Sequence, residues 1–204
     1  PRGDTENIVE EVIATIENSG YNNVLDMCTG TGAIAISVAH YTKAKVTASD
    51  ISSKALEVAR ENAKILNADV NFIESDLFEN INETFDVLVS NPPYIESEVI
   101  PTLMEQVKDY EPMLALDGGK DGLDFYRNII NQAKNYINKN GCIVFEIGYN
   151  QGGQVKSLLE NTGFVNINVK QDLAGLDRLV IGFKLWYTDH IRTGGKKCLK
   201  DLQI

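Results

Sequence analysis

Hydrophobic positions along the chain switch repeatedly between helical spacing and short unbroken runs, the pattern of helices alternating with buried strands. From Asp4 to Ser19, Ile8, Val9, Val12, Ile13 and Ile16 fall on one helical face, with Asp4 or Thr5 as N-cap and Gly20 as terminator. Val24 to Cys28 reads as a strand running into Thr29-Gly30-Thr31-Gly32, and Ala33 to His40 as a small buried helix. Lys45 to Ser49 is a second strand ending at Asp50; Ser52 then caps a helix reaching Leu66, with Ala55, Leu56, Ala59, Ala63 and Leu66 inward. Val70 to Glu74 and Thr84 to Val89 give two more strands. Helices over Leu123 to Asn138 and Gly153 to Glu160 precede strands at Cys142 to Glu146 and Val165 to Val169, and Leu179 to Phe183 closes the series without a helix before it. Parallel strands joined by crossover helices, ending in a hairpin, follow from this order. The fold class is therefore α/β.

Composition narrows the picture without changing it. With 204 residues, 43% of them hydrophobic and 24% charged, the chain has enough apolar material for one core. One domain is expected over 1–184, with 185–204, which carry Lys196, Lys197 and Lys200 without clear periodicity, as a surface tail. A formal net charge of -10 disfavours nucleic acid as a direct partner. Cys28, Cys142 and Cys198 are too few and too scattered for a disulfide framework or a zinc site, which points to a reducing, cytoplasmic compartment and no metal. No run is long enough to span a membrane, and the start at Pro1 suggests a piece of something longer.

The candidate chemistry lies where strands stop. Ser90-Asn91-Pro92-Pro93-Tyr94 follows the fourth strand, at the carboxyl end where open α/β sheets bind ligands. Asn91 offers a carbonyl oxygen and an amide, Pro92 and Pro93 leave rigid carbonyl acceptors, and Tyr94 adds an aromatic face. Together they suit a planar –NH2 group. Gly30-x-Gly32 lets backbone approach a ligand, and the helix that follows presents its N-terminus. Asp50, at the end of the second strand, is placed for ribose hydroxyls, and Asp76-Leu77, after the third, for an adenine. A nicotinamide dinucleotide fits the glycines alone. S-adenosyl-L-methionine also gives Asn91-Pro92-Pro93-Tyr94 a role, because its sulfonium methyl must face a nucleophile beside the fourth strand.

Several blocks resemble the HemK/PrmC family, methyltransferases that modify the glutamine of the Gly-Gly-Gln motif in peptide-chain release factors. They are Pro1-Arg2-Gly3-Asp4-Thr5-Glu6, Asp26 to Gly32, Asn91-Pro92-Pro93-Tyr94, Leu114 to Leu123 and Asp172 to Arg178. The resemblance implies a Rossmann-like seven-stranded sheet of order 3-2-1-4-5-7-6 with the last strand antiparallel, as in class I methyltransferases that use S-adenosyl-L-methionine. It implies a cofactor site at Cys28, Thr29, Gly30, Thr31, Gly32, Asp50, Asp76, Leu77 and Asn91. It also implies a substrate site at Asn91, Pro92, Pro93 and Tyr94, of which Asn91, Pro92 and Tyr94 act in transfer, and a release factor as protein partner. Cys28 stands where that family has a glycine, and Gly3 where it has a proline. The family's small helical domain, which docks substrate, lies upstream of the part matched here.

Two rival readings use the same residues. An amino-directed methyltransferase acting on adenine N6 in nucleic acid would use the same acceptors but calls for a basic groove. A non-catalytic scaffold would bind the cofactor and not transfer from it. His40 and His190 read as structural, and Gln151-Gly152-Gly153-Gln154 as a glycine-rich helix start.

Overall fold

A computed structural model describes residues 3–102 and 115–185. Among the described residues, five α-helices and seven strands follow one another as α1 (Gly3–Ser19), β1 (Asn23–Met27), α2 (Ala33–Tyr41), β2 (Lys45–Asp50), α3 (Ser53–Leu66), β3 (Val70–Glu74), β4 (Phe85–Ser90), α4 (Asp124–Ala133), β5 (Ile137–Glu146), α5 (Gly152–Asn161), β6 (Val165–Gln171) and β7 (Asp177–Phe183). The strands form one sheet of order β3-β2-β1-β4-β5-β7-β6. The pairs from β3 through β5 are parallel, and β7 runs antiparallel to both β5 and β6. This is the expected class, order and closing hairpin.

Each face of the sheet has its own core. On one face Ile8, Val12 and Ile16 of α1 and Ile34, Ala35 and Val38 of α2 pack over Val24, Val46, Val87, Val89 and Val144. On the other, Tyr126, Ile129 and Ile130 of α4 and Val155 and Leu159 of α5 cover Leu25, Leu88, Ile143, Phe145 and Val180. Between β3 and β4 there is no helix; Phe78 and Ile81 fill that side of the second core. The runs that read as uninterrupted apolar strands are thus those buried on both faces. Tyr126, fully buried, meets the Phe145 ring edge-on at 5.2 Å and donates its hydroxyl to the Glu146 carbonyl at 2.8 Å.

Some boundaries differ from the sequence reading, each for a local reason. The first helix begins at Gly3, so Asp4 and Thr5 lie inside it and neither is its N-cap. The first strand ends at Met27, because Cys28 is already left-handed with φ 59. The helix expected to reach Asn138 stops at Ala133, and β5 starts at Ile137. Sheet pairing wins there: the Phe85 amide donates to the Tyr136 carbonyl at 2.8 Å, and Ile137 pairs with Phe85. Lys184 Nζ donates to the Lys134 and Ile137 carbonyls that this early turn exposes. β5 kinks at Asn140, φ 62, and Gly141 follows where a Cβ would meet the Asp86 carbonyl at 2.6 Å. The closing strand starts at Asp177, two residues before the apolar run. Leu66 is 55% exposed and not inward, since Asn67 turns left-handed and ends α3 beside it. At the sheet edge, β6 changes register against β7 between Val165 and Asn168 and again between Lys170 and Gln171, with Asn166 left-handed at φ 50.

Among the described residues no helix is long and apolar enough to cross a membrane. Residues 103–114, after the Asn91 to Tyr94 motif, and the tail beyond Leu185 lie outside the described residues.

Tyr126→Phe is expected to keep the fold and lower stability by about 1 kcal/mol, the net worth of one buried hydrogen bond. Urea unfolding with an unchanged slope checks it; no shift in midpoint would show that the Glu146 carbonyl has other partners of equal worth.

Candidate active site at the carboxyl edge of the sheet

Pairing places Met27 opposite both Ser49 and Ser90, so β1, β2 and β4 end level with one another. The segments that leave them, Cys28 to Gly32, Asp50 to Ser52 and Asn91 to Tyr94, are therefore neighbours around one crevice. Ser90, buried, donates its hydroxyl to the Met27 carbonyl at 2.6 Å and fixes β4 to β1 at the point where the motif begins.

The glycine turn is shaped by two carboxylates. Asp26, fully buried, accepts from the Thr29 hydroxyl at 2.5 Å and from the Ala35 amide at 3.0 Å, which joins the start of the turn to the first turn of α2. Its other oxygen, Oδ1, has no partner among the described residues. Burial, with a smaller push from Asp50, raises its pKa to about 7. Asp50 Oδ2 accepts from the Gly30 amide at 2.8 Å, and Oδ1 from the Ser52 amide at 2.9 Å. Each Asp50 oxygen keeps acceptor capacity for a second donor. Gly30 and Gly32 are left-handed at φ 56 and 83. A Cβ on Gly30 would meet nothing within 4 Å, so the turn is open on that side, whereas one on Gly32 would meet Ile36 at 2.9 Å. The Thr29 amide donates to the Ser49 carbonyl and the Thr31 carbonyl accepts from Asn62, which hold the turn against β2 and α3. Cys28 takes the left-handed conformation with a side chain present; burial pushes its thiol up to about 12, so it stays neutral.

Beyond β3, Ser75 does the local work. It is buried, its amide donates to the Asp50 carbonyl at 3.0 Å, and its hydroxyl donates to the Leu77 carbonyl while accepting from the Asn80 amide. Leu77 is held left-handed at φ 46, half-buried, and Asp76 is exposed at the rim. Polar and apolar side chains thus flank the position the sequence assigned to a purine.

Pro92 and Pro93 are buried and Asn91 and Tyr94 half-buried, with Tyr94 packed against the second core. The Asn91 side chain has no hydrogen-bond partner among the described residues. Behind the motif runs a glycine-rich loop. The Ile95 amide donates to the Leu116 carbonyl at 3.0 Å, the Gly118 amide to the Ile95 carbonyl at 2.8 Å, and the Ser97 amide to the Gly119 carbonyl at 2.9 Å. Gly118 is required by closeness: a Cβ there would stand 2.7 Å from Tyr94 Cα. Asp117 caps this loop by accepting from the Ser97 hydroxyl and the Gly119 amide, which hold its carboxyl below the usual range.

The structure thus brings every sequence-assigned site residue to the same edge. Asp26 and Ser75 were not assigned; an acid in an apolar strand four residues before a glycine was the available signal for the first. Among the described residues no cluster of side chains could hold a metal ion. His40 is exposed at the end of α2 against the Tyr41 ring, away from the crevice, and His190 lies outside the described residues. Gly152 of the Gly-Gly-Gln triplet sits in the first turn of α5, where a Cβ would meet Asp177 Oδ2 at 2.3 Å, which accounts for that glycine by packing.

Strand order, level carboxyl ends and a glycine turn facing an acidic second-strand terminus define a class I methyltransferase fold. A methyltransferase from Pyrococcus furiosus superposes with a TM-score of 0.66 at 19% identity, covering 87% of this chain and 83% of that one. Residues 9–118 match the family model described as methyltransferase small domain. A release factor glutamine methyltransferase of Clostridium acetobutylicum is 46% identical over 190 residues, 90% of this chain and 67% of the relative. One from Fusobacterium nucleatum is 44% identical over 90% of this chain and 53% of its own length. The solved release-factor-specific protein-(glutamine-N5) methyltransferase from Alicyclobacillus acidocaldarius is 27% identical, with a TM-score of 0.56 over 91% of this chain and 94% of that one. The chain belongs to the release factor glutamine methyltransferase family. It spans between about half and two thirds of the length of these curated relatives.

The raised pKa of Asp26 has a sign. Between the ordinary value of 3.8 and about 7 the folded protein holds a proton that the unfolded chain has released. The stability this contributes is complete below the unfolded value and is lost as pH rises through about 7. Asp26→Asn keeps an oxygen for Thr29 and Ala35 and cannot ionise, so its stability relative to wild type is expected to improve from about pH 5 to about pH 8. Urea midpoints for both proteins at both pH values measure this; parallel pH curves would mean that Asp26 is ionised throughout.

Proposed function

We propose that this chain transfers the methyl group of S-adenosyl-L-methionine to the side-chain amide nitrogen of the glutamine in the Gly-Gly-Gln motif of a peptide-chain release factor. The observation that supports it most is the half-buried Asn91 side chain, which has no hydrogen-bond partner among the described residues and follows β4 beside the rigid Pro92 and Pro93 carbonyls at the edge that the glycine turn also lines. The family of the chain gives the substrate class, and acidity of the whole argues against wrapping nucleic acid. The cytoplasm, where release factors work, is the matching compartment.

The residues fit the cofactor on their own terms. Asp50 retains acceptor capacity for two ribose hydroxyls, the Leu77 segment offers an apolar wall to a purine with Asp76 at its rim, and the Cys28 to Gly32 turn is open where backbone meets ligand. Once bound, the cofactor supplies an electrophilic methyl on a positively charged sulfur. Asn91 Oδ1 and the Pro92 carbonyl accept the two N–H bonds of the substrate amide, turning its nitrogen toward that methyl and stabilising the positive charge the nitrogen gains. Transfer would leave the cofactor's sulfur as a neutral thioether, and the substrate nitrogen would then lose one proton to solvent. No strong base is needed before attack, because the N-methylated amide is acidic and loses its proton afterward; much of the remaining acceleration comes from alignment, with effective concentrations of ~10⁵ M or more. Tyr94 lies against the amide plane and Pro93 keeps the turn stiff.

Asn91→Ala is expected to leave cofactor affinity nearly intact, measured by calorimetry, while transfer falls by ~10²-fold or more. The substrate is tested with the full protein, methyl-labelled cofactor and purified release factor, and the label is located by peptide mass spectrometry. Label on the loop glutamine supports the reading. Label on adenine of added RNA or DNA, with none on the factor, shows a nucleic-acid enzyme, and cofactor binding with no transfer to any of them shows a scaffold.

A further inference from the structure

Gln151 stands at the far side of the crevice, on the turn between β5 and α5, and is 6% exposed. A buried primary amide is costly unless its donors and acceptor are all used. Here they are. Oε1 accepts from the Gly148 amide at 3.0 Å, while Nε2 donates to the Tyr94 carbonyl at 3.0 Å and to the Gly122 carbonyl at 3.2 Å. One side chain therefore fastens three segments that are distant in sequence: the exit of Asn91-Pro92-Pro93-Tyr94, the glycine loop behind it, and the end of β5. Its own backbone is fixed as well, since its amide donates to the Gly148 carbonyl and its carbonyl accepts from Val155 in the first turn of α5.

The fit is tight on every side. A Cβ on Gly122 would stand 2.4 Å from the Tyr94 carbonyl oxygen and 2.7 Å from Gln151 Nε2, and one on Gly148 would stand 2.9 Å from Gln151 Oε1. The glycines on both sides leave room for this one amide and for little else. Pro92 and Pro93 set φ at their own positions but cannot fix the peptide that follows Tyr94. That peptide's carbonyl is held by Gln151.

We infer that Gln151 is a positioning residue for methyl transfer: by holding the Tyr94 carbonyl it sets the orientation of the Asn91-Pro92 acceptors and of the Tyr94 ring. Its side-chain amide is spent on protein partners. The inference rests on the function proposed above. It predicts a loss mainly in the chemical step, because the residues assigned to cofactor, Asn91 excepted, lie beyond the ends of β1, β2 and β3.

Two variants separate the roles of its amide. Gln151→Glu keeps the Oε1 acceptor for Gly148 and replaces both donated hydrogen bonds with an oxygen facing two carbonyl oxygens. Gln151→Met keeps length and bulk and removes all three bonds. Both are made in the full protein and assayed beside wild type with labelled cofactor and release factor. The expected result is turnover lowered by ~10-fold or more in each, as a small misplacement of aligned groups produces, with cofactor affinity and the Michaelis constant for the factor little changed. A strut without a positioning role would lower the melting temperature and leave turnover of the folded fraction at the wild-type value, which overturns the inference. Failure of both variants to fold likewise identifies Gln151 as a structural strut and overturns it. Should wild type itself place no methyl on the factor, the functional reading fails first, and this inference falls with it.

Discussion

The register of the central strands is the constraint on which the rest depends. Because Met27 lies opposite Ser49 and Ser90, three chain segments leave the sheet at one height, and a single-residue slip would send each to the wrong face. Continuous burial on both faces enforces that register: Leu25, Val87, Leu88 and Val144 have no solvent-exposed alternative. The crevice is a consequence of packing several residues below it.

Above the sheet, order comes from short polar side chains that hold backbone. Asp26 ties a threonine to a helix amide, Asp50 spans from a glycine to a helix start, and Ser75 and Asp117 each bind two groups in their own loops. In the proposed transfer none of these needs to exchange a proton. This suits a chemistry in which placement matters more than acid or base strength, and it explains why the only described histidine lies elsewhere.

Much of this was legible in the sequence. The succession of strands and helices and the closing hairpin follow from apolar runs, glycines and prolines, which are local signals, whereas the order of strands across the sheet came from the family resemblance. What escaped depends on contacts between distant segments. The helix through Asn138 looked continuous because Tyr136 and Ile137 keep helical spacing, yet Phe85 takes their backbone into the sheet. Leu66 carried the right period at the last position of α3, where the left-handed Asn67 ends the helix and leaves it exposed. Gln151 read as the first residue of a glycine-rich helix start, and its three partners lie up to 57 positions away. No pattern within a short window distinguishes such a glutamine from one in solvent.

The outer strand has a meaning of its own. β6 is an edge, and an edge offers unpaired amides and carbonyls to any other strand that meets it. Its two register shifts and the left-handed Asn166 break that row at both ends, and polar Asn168 and charged Lys170 face outward, the latter paired with Glu11 of α1. A stranger's strand would find few consecutive groups at the right spacing. The irregular margin guards the molecule against joining its neighbours into extended sheets.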